Sequence, residues 1–160
     1  MVQTCIERSR PVIEVKYDLP TLPLEMLTEA YLSLRDRRTI NIVEGDTFKY
    51  EWMLATDALT AWLNENIAEK TAWSVQTIEG QIPVHTDWKH LGTKLNYLID
   101  TGGTDVPTRW HYEGKQVSTY TCLPHVWYSL HVRIPHDVGL ILPGRYRISV
   151  THGDQNAFSK

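Results

Sequence analysis

The sequence predicts a mainly β fold with N-terminal helices: a double-stranded β-helix, that is, a jelly-roll barrel of cupin-like type. Three observations carry this expectation. Apolar residues recur at helical spacing only within the first seventy positions, and short alternating stretches replace them from Thr71 onward. Turn residues separate many of those stretches. No repeat, low-complexity run or Gly/Ser linker interrupts the 160 residues, so one domain is expected over 1–160, with 1–70 as mostly helical support and 71–151 as the jelly-roll core.

Residues 12–16 (VIEVK) alternate and predict a first short strand. Pro20 and Pro23 lead into a stretch where Leu24, Leu27, Tyr31 and Leu34 recur with helical period, predicting a helix over 24–35 with one buried face. A polar, irregular segment follows, with a short strand at 40–43. A second helix is predicted over 52–69, its apolar positions being Trp52, Leu54, Ala55, Leu59, Trp62, Leu63 and Ile67. Eight strands are then predicted at 72–78, 82–85, 94–99, 108–112, 117–121, 126–132, 135–139 and 145–150. Glu79-Gly80, Thr101-Gly102-Gly103, Glu113-Gly114, Leu123-Pro124 and Pro143-Gly144 mark turns among them. Strands so short and numerous close into a sandwich or barrel, with the two helices covering one face.

Composition narrows the class. A hydrophobic fraction of 42% and a charged fraction of 22% are those of a globular protein. The formal charge of −3 offers no basic footprint, which argues against a nucleic-acid partner. Cys5 and Cys122 form no CxxC pair, and the charged start MVQTCIERSR lacks the apolar run of a signal peptide. No apolar stretch reaches membrane-spanning length. A cytoplasmic, reducing location is therefore expected, with no membrane partner. Six Trp and eight Tyr stand against two Phe, a set that serves a core or a pocket equally well.

The segment IPVHTDW (82–88) is the strongest local feature. Alternate side chains of a strand share a face, so His85 and Asp87 project together. An imidazole and a carboxylate on one face supply two of the three ligands of a facial triad, which suits non-haem iron(II). A third ligand must come from another strand. The candidates are His90, His111, His125, His131, His136 and His152, and His136 stands out for the run IPHDVGLILPGRYRISV around it. In that run Arg145, Arg147 and Ser149 share one strand face and Tyr146, Ile148 and Val150 the other. A buried guanidinium with a hydroxyl beside it is the chemistry that holds one end of a dicarboxylate.

In these residues the chain resembles the 2-oxoglutarate- and Fe(II)-dependent oxygenase superfamily, in its small prolyl-hydroxylase-like and phage or bacterial forms. The resemblance spans about 73–151. It rests on His85-Thr86-Asp87, Leu95-Asn96-Tyr97-Leu98 with Gly102-Gly103, Thr108-Arg109-Trp110, Pro135-His136-Asp137-Val138 and Arg147-Ile148-Ser149. It implies iron(II) held by His85, Asp87 and His136, and 2-oxoglutarate held at its far carboxylate by Arg147 and Ser149. Arg147 lies eleven positions after His136 and Arg145 nine; the Ser two positions on favours Arg147. Tyr97 matches an aromatic hydroxyl that reaches the same carboxylate in many members, although Asn96, its neighbour, must face the other way. The implied activity is a dioxygenase reaction consuming 2-oxoglutarate and O2, releasing succinate and CO2, and hydroxylating a protein side chain or small molecule.

The sequence departs from the family at Trp88-Lys89-His90-Leu91, where some members carry an arginine, and the 88–93 connection is short. Trp88, Trp110 and Trp127 are candidates to stack on a substrate. The alternative reading is a cupin-like metal- or ligand-binding domain without oxygenase activity. Such barrels usually carry HxH followed by Glu, whereas no acid occurs here between Asp87 and Lys94. A third is a non-enzymatic jelly-roll module, which requires that the three ligand side chains stay apart.

Overall fold

The computed structural model describes residues 13–86, 93–104, 106–131 and 134–152. Ten strands and two helices occur among them. In chain order they are β1 (Ile13–Val15), α1 (Leu24–Asp36), β2 (Asn41–Glu44), β3 (Phe48–Leu54), α2 (Asp57–Asn66), β4 (Trp73–His85), β5 (Thr93–Thr101), β6 (Pro107–Tyr112), β7 (Lys115–Thr121), β8 (Trp127–His131), β9 (His136–Ile141) and β10 (Arg147–His152).

The strands form one curled antiparallel sheet, ordered β1-β8-β5-β10-β4-β9-β6-β7, with β3 on the other edge of β4 and β2 beyond β3. Its shape follows from β4. Between Ser74 and Ile78 that strand pairs with β3 on one edge and β10 on the other. From Gly80 the second edge passes from β10 to β9. β9 and β10 thus follow one another along β4, and the sheet divides into a larger leaf around β10 and a smaller leaf of β9, β6 and β7. This is the curled antiparallel arrangement of a jelly-roll, cupin-like barrel.

Two predicted strands, 72–78 and 82–85, are therefore one. Gly80 is not a turn; it holds φ +80° within β4, where an added Cβ would meet the Thr47 backbone. The predicted second helix also changes. Residues 48–54 are a strand, and the helix starts only at Asp57, with the Thr56 side chain accepting from the Leu59 N–H at 3.3 Å. The alternation of Phe48, Tyr50, Trp52 and Leu54 is the β signal there, and the helical count of 52–69 overrode it.

Both helices cover the larger leaf. Ala30, Leu59 and Leu63 pack with Trp73 and Val75 of β4, Tyr97 and Ile99 of β5, Val150 of β10 and Trp127 of β8. Met26, Leu27 and Leu34 flank this core, while Leu24 and Tyr31 are exposed, so the buried stripe of α1 is rotated from the predicted one. The two buried indoles satisfy their N–H groups, Trp73 on Asn64 Oδ1 at 2.8 Å and Trp127 on the Pro20 carbonyl at 2.9 Å. With one face of the leaf sealed by helices, its alternate residues turn inward: Gln76 and Ile78 of β4, Lys94 and Asn96 of β5, and Arg147 and Ser149 of β10.

Candidate functional site

The smaller leaf supplies the histidines. His85 and His136 are direct partners across β4 and β9, with ring centroids 4.5 Å apart. A regular strand would turn His85 away from Ile82. Instead Ile82 pairs with Val138 and His85 with His136, so β4 carries one extra residue between them. This bulge at Pro83-Val84 brings His85 onto the cavity face beside Ile82. Proline suits the position, since it has no N–H to give to the ladder.

Each ring is oriented by its own backbone. The Nδ1 of His85 lies 2.9 Å from the Pro83 carbonyl, and that of His136 lies 2.8 Å from the Ile134 carbonyl. A carbonyl only accepts, so both Nδ1 atoms carry the proton, and in the neutral ring Nε2 keeps the lone pair. That tautomer is the one in which Nε2 ligates a metal. Asp87 lies outside the described residues, as does Trp88. Among the described residues no three His, Cys, Asp or Glu side chains gather to hold a metal.

Arg147 opens β10 and is 4% exposed. Its Nε donates to the Thr101 carbonyl at 3.0 Å, Nη1 to Thr108 Oγ1 at 3.2 Å and Nη2 to the Val106 carbonyl at 2.8 Å. All three acceptors are neutral, and among the described residues no carboxylate pairs with it. Burial pushes its pKa down, with the nearby Cys122 acting in the opposite sense. Arg145, the other sequence candidate, is exposed in the turn before β10. Gly102 guards the approach: at φ +85°, an added Cβ would lie 3.2 Å from the Arg147 nitrogen.

One cavity joins these groups. His85, His136, Arg147, Gln76, Lys94 and Asn96 line it, with Tyr50, Thr108 and an apolar wall of Ile78, Ile82, Leu130 and Val138. Three buried oxygens on the inner faces of the larger leaf lack a hydrogen-bond partner: Gln76 Oε1, Asn96 Oδ1 and Ser149 Oγ. Ser149 and Gln76 are directly opposed across β10 and β4. Buried polar atoms are rarely left unpaired, and a buried cation among neutral acceptors favours an anion, so this donor and acceptor set fits a bound polar group.

Tyr97 is not part of this cavity. Its ring packs at 5.0 Å on Trp127 under the helices, and its hydroxyl accepts from the Leu22 N–H at 3.2 Å. Burial raises its pKa, and that hydrogen bond partly opposes the shift. The inward residue of the pair is Asn96, as alternation requires once Tyr97 faces the helices. Trp127 likewise belongs to the helix-side core, and Trp110 gives its indole N–H to the His131 carbonyl at 3.0 Å. Gln76 and Lys94 were not singled out from sequence, and Thr108 entered only as part of the Thr108-Arg109-Trp110 run. Strand alternation puts Gln76 and Ile78 on one face of β4 and Lys94 and Asn96 on one face of β5, but only the helix-covered side shows which face is inward.

A helix-backed, curled β-barrel with a histidine pair and a buried arginine inside it has the fold of the 2OG-Fe(II) oxygenases. The individual comparisons are with an oxidoreductase of that family from Burkholderia pseudomallei (TM-score 0.59, 8% identity, covering 94% of this chain and 85% of that one). A prolyl hydroxylase from Trichoplax adhaerens, solved with a hypoxia inducible factor oxygen degradation domain peptide fragment, gives a TM-score of 0.54 at 13% identity, covering 99% and 92%. At these identities the likeness is one of fold. No family model and no curated protein matches the sequence. Among the described residues, no helix is long and apolar enough to cross a membrane.

Proposed function

We propose that this chain is an Fe(II)- and 2-oxoglutarate-dependent dioxygenase, a hydroxylase of a protein side chain or small molecule. The observation that carries the proposal is Arg147: a buried guanidinium, bonded only to neutral acceptors among the described residues, in the same cavity as two tautomer-fixed histidines. In this reading His85, Asp87 and His136 hold iron, and Arg147 with Ser149 holds the far carboxylate of 2-oxoglutarate. When bound, iron and 2-oxoglutarate supply oxidative decarboxylation, which yields succinate and CO2 and places one oxygen atom of O2 on the substrate.

The chain's own contribution is preorganisation. The Pro83 and Ile134 carbonyls hold each imidazole by Nδ1, so that Nε2 is the lone-pair atom of the neutral ring. Thr101, Val106 and Thr108 fix the guanidinium plane before the carboxylate arrives, which reduces the ordering cost of binding. Ile82 and Val138, the rung beside the histidines, exclude water from that end of the cavity.

Incubating iron(II)-loaded protein with labelled 2-oxoglutarate tests the proposal. Succinate formation above a His136→Ala control is expected. Its absence across varied substrates, with tight zinc in place of exchangeable iron, favours a cupin-like binding domain instead.

A further inference from the structure

Two of the unpaired oxygens of the inner face, Ser149 Oγ and Gln76 Oε1, belong to residues directly opposed across β10 and β4. Such a pair on one face brings its Cβ atoms within roughly 5 Å. On its other side Ser149 meets Leu98 of β5, an apolar neighbour. Gln76 Oε1 only accepts, whereas the Ser149 hydroxyl also donates, so a bond from hydroxyl to Oε1 satisfies both. Exposure separates the two residues: Gln76 lines the cavity, whereas Ser149, 1% exposed, does not. A ligand in the cavity therefore meets the glutamine and not the serine. Arg147 leaves room for such a donor. Three of its N–H groups are committed to Thr101, Thr108 and Val106, so the guanidinium alone does not fill a carboxylate that accepts roughly four hydrogen bonds. Arg147 pairs with Ile78, the next inward residue of β4 after Gln76, which sets the two about 7 Å apart along the cavity floor.

We propose that Gln76 binds the cosubstrate, its Nε2 donating beside Arg147 to the far carboxylate of 2-oxoglutarate, and that Ser149 is the positioning residue that holds Gln76 by Oε1. The assignment rests on the dioxygenase reading, and Ser149 holds the carboxylate at one remove. With Oε1 turned to the serine, the amide plane directs its two N–H donors into the cavity. The glutamine gives a hydrogen bond to a charged acceptor without adding a second charge to the floor.

Calorimetry of 2-oxoglutarate binding to the iron(II)-loaded protein under nitrogen tests this, with 2-oxopentanoate, which lacks the far carboxylate, as second probe. Gln76→Met is expected to weaken 2-oxoglutarate by roughly 10- to 100-fold, the loss of a hydrogen bond to a charged group. Gln76→Glu keeps the acceptor for Ser149 but sets a negative charge beside the ligand, and should weaken it at least as far. Ser149→Ala should weaken it less. Added to Gln76→Met it should change nothing further, because the two residues act in series. 2-Oxopentanoate should bind the unaltered protein and every variant alike. Equal weakening of both probes, a further loss on combining the substitutions, or unchanged 2-oxoglutarate binding in Gln76→Met overturns the assignment. If Gln76→Met does not fold, Gln76→Glu carries the same comparison. Failure of the dioxygenase reading looks different: the unaltered protein then binds 2-oxoglutarate no more tightly than 2-oxopentanoate, and both conclusions fall.

Discussion

His85 and His136 face each other across β4 and β9 with their ring planes at 55°, each tied through Nδ1 to the carbonyl two residues before it. The two rings are held by the same local device on different strands. Their pairing depends on the single extra residue in β4, because without it His85 falls on the opposite face.

Deleting Val84 is the direct test of that dependence. This residue is half exposed, so the deletion removes little core. The variant should stay folded by circular dichroism yet lose iron(II) binding, as should His136→Ala. Retained iron affinity after the deletion would show that the bulge does not set the ligand geometry.

Arg147→Lys keeps a charge but loses the planar fork that fills three acceptors. The KM for 2-oxoglutarate is expected to rise by on the order of 10- to 100-fold, with kcat changed much less. A kcat defect at unchanged KM would place Arg147 outside the cosubstrate site.

Gly102→Ala introduces a side chain at φ +85°, against the Arg147 backbone and Ile141. A loss of about 1–3 kcal/mol in denaturant unfolding is expected, together with weaker 2-oxoglutarate binding. The second effect distinguishes strain at the guanidinium's strand from a generic loop defect.

Alkaline pH should unfold the protein through two buried acids. Burial pushes the Cys122 thiol from 9.0 up to about 11, the Arg147 charge opposing it, and pushes the Tyr128 hydroxyl from 10.0 up to about 12. The unfolded chain releases these protons first. Their contribution is therefore complete below pH 9 and is lost as pH rises through 11 to 12. Cys122→Ala should flatten the part between pH 9 and 11, a change on the order of 2 kcal/mol in the pH-dependent term. An unaltered slope would remove Cys122 as its source.

Much of this was legible in the sequence, for reasons that differ by residue. The barrel strands follow from period-two alternation, whereas Arg147 was singled out through the family resemblance. Alternation put Arg145 and Arg147 on one strand face, whereas the fold buries Arg147 and leaves Arg145 exposed in the turn before β10. Residues 52–54 of β3 were read as helix because Trp52, Leu54 and Ala55 fit both periods, and the Thr56-Asp57 cap that starts the helix was not weighed. Gly80 signalled a turn, whereas only the neighbouring Thr47 backbone explains why it bends a continuous strand. Tyr97 was assigned by likeness, yet parity alone permits either Tyr97 or Asn96 inside. The choice falls to the helices, whose packing consumes Tyr97, Trp73 and Trp127.

The shared strand has a kinetic consequence. His85 meets a residue fifty-one positions later, and the helix-backed leaf closes over longer spans still, Trp73 packing on Trp127 and pairing with His152 seventy-nine positions on. Pairings between segments so distant in sequence require loop closure before they return any stabilisation, which makes them slow. Because β4 carries both sets of contacts, one ordering event on a single strand gates the core of the fold and the histidine pair alike.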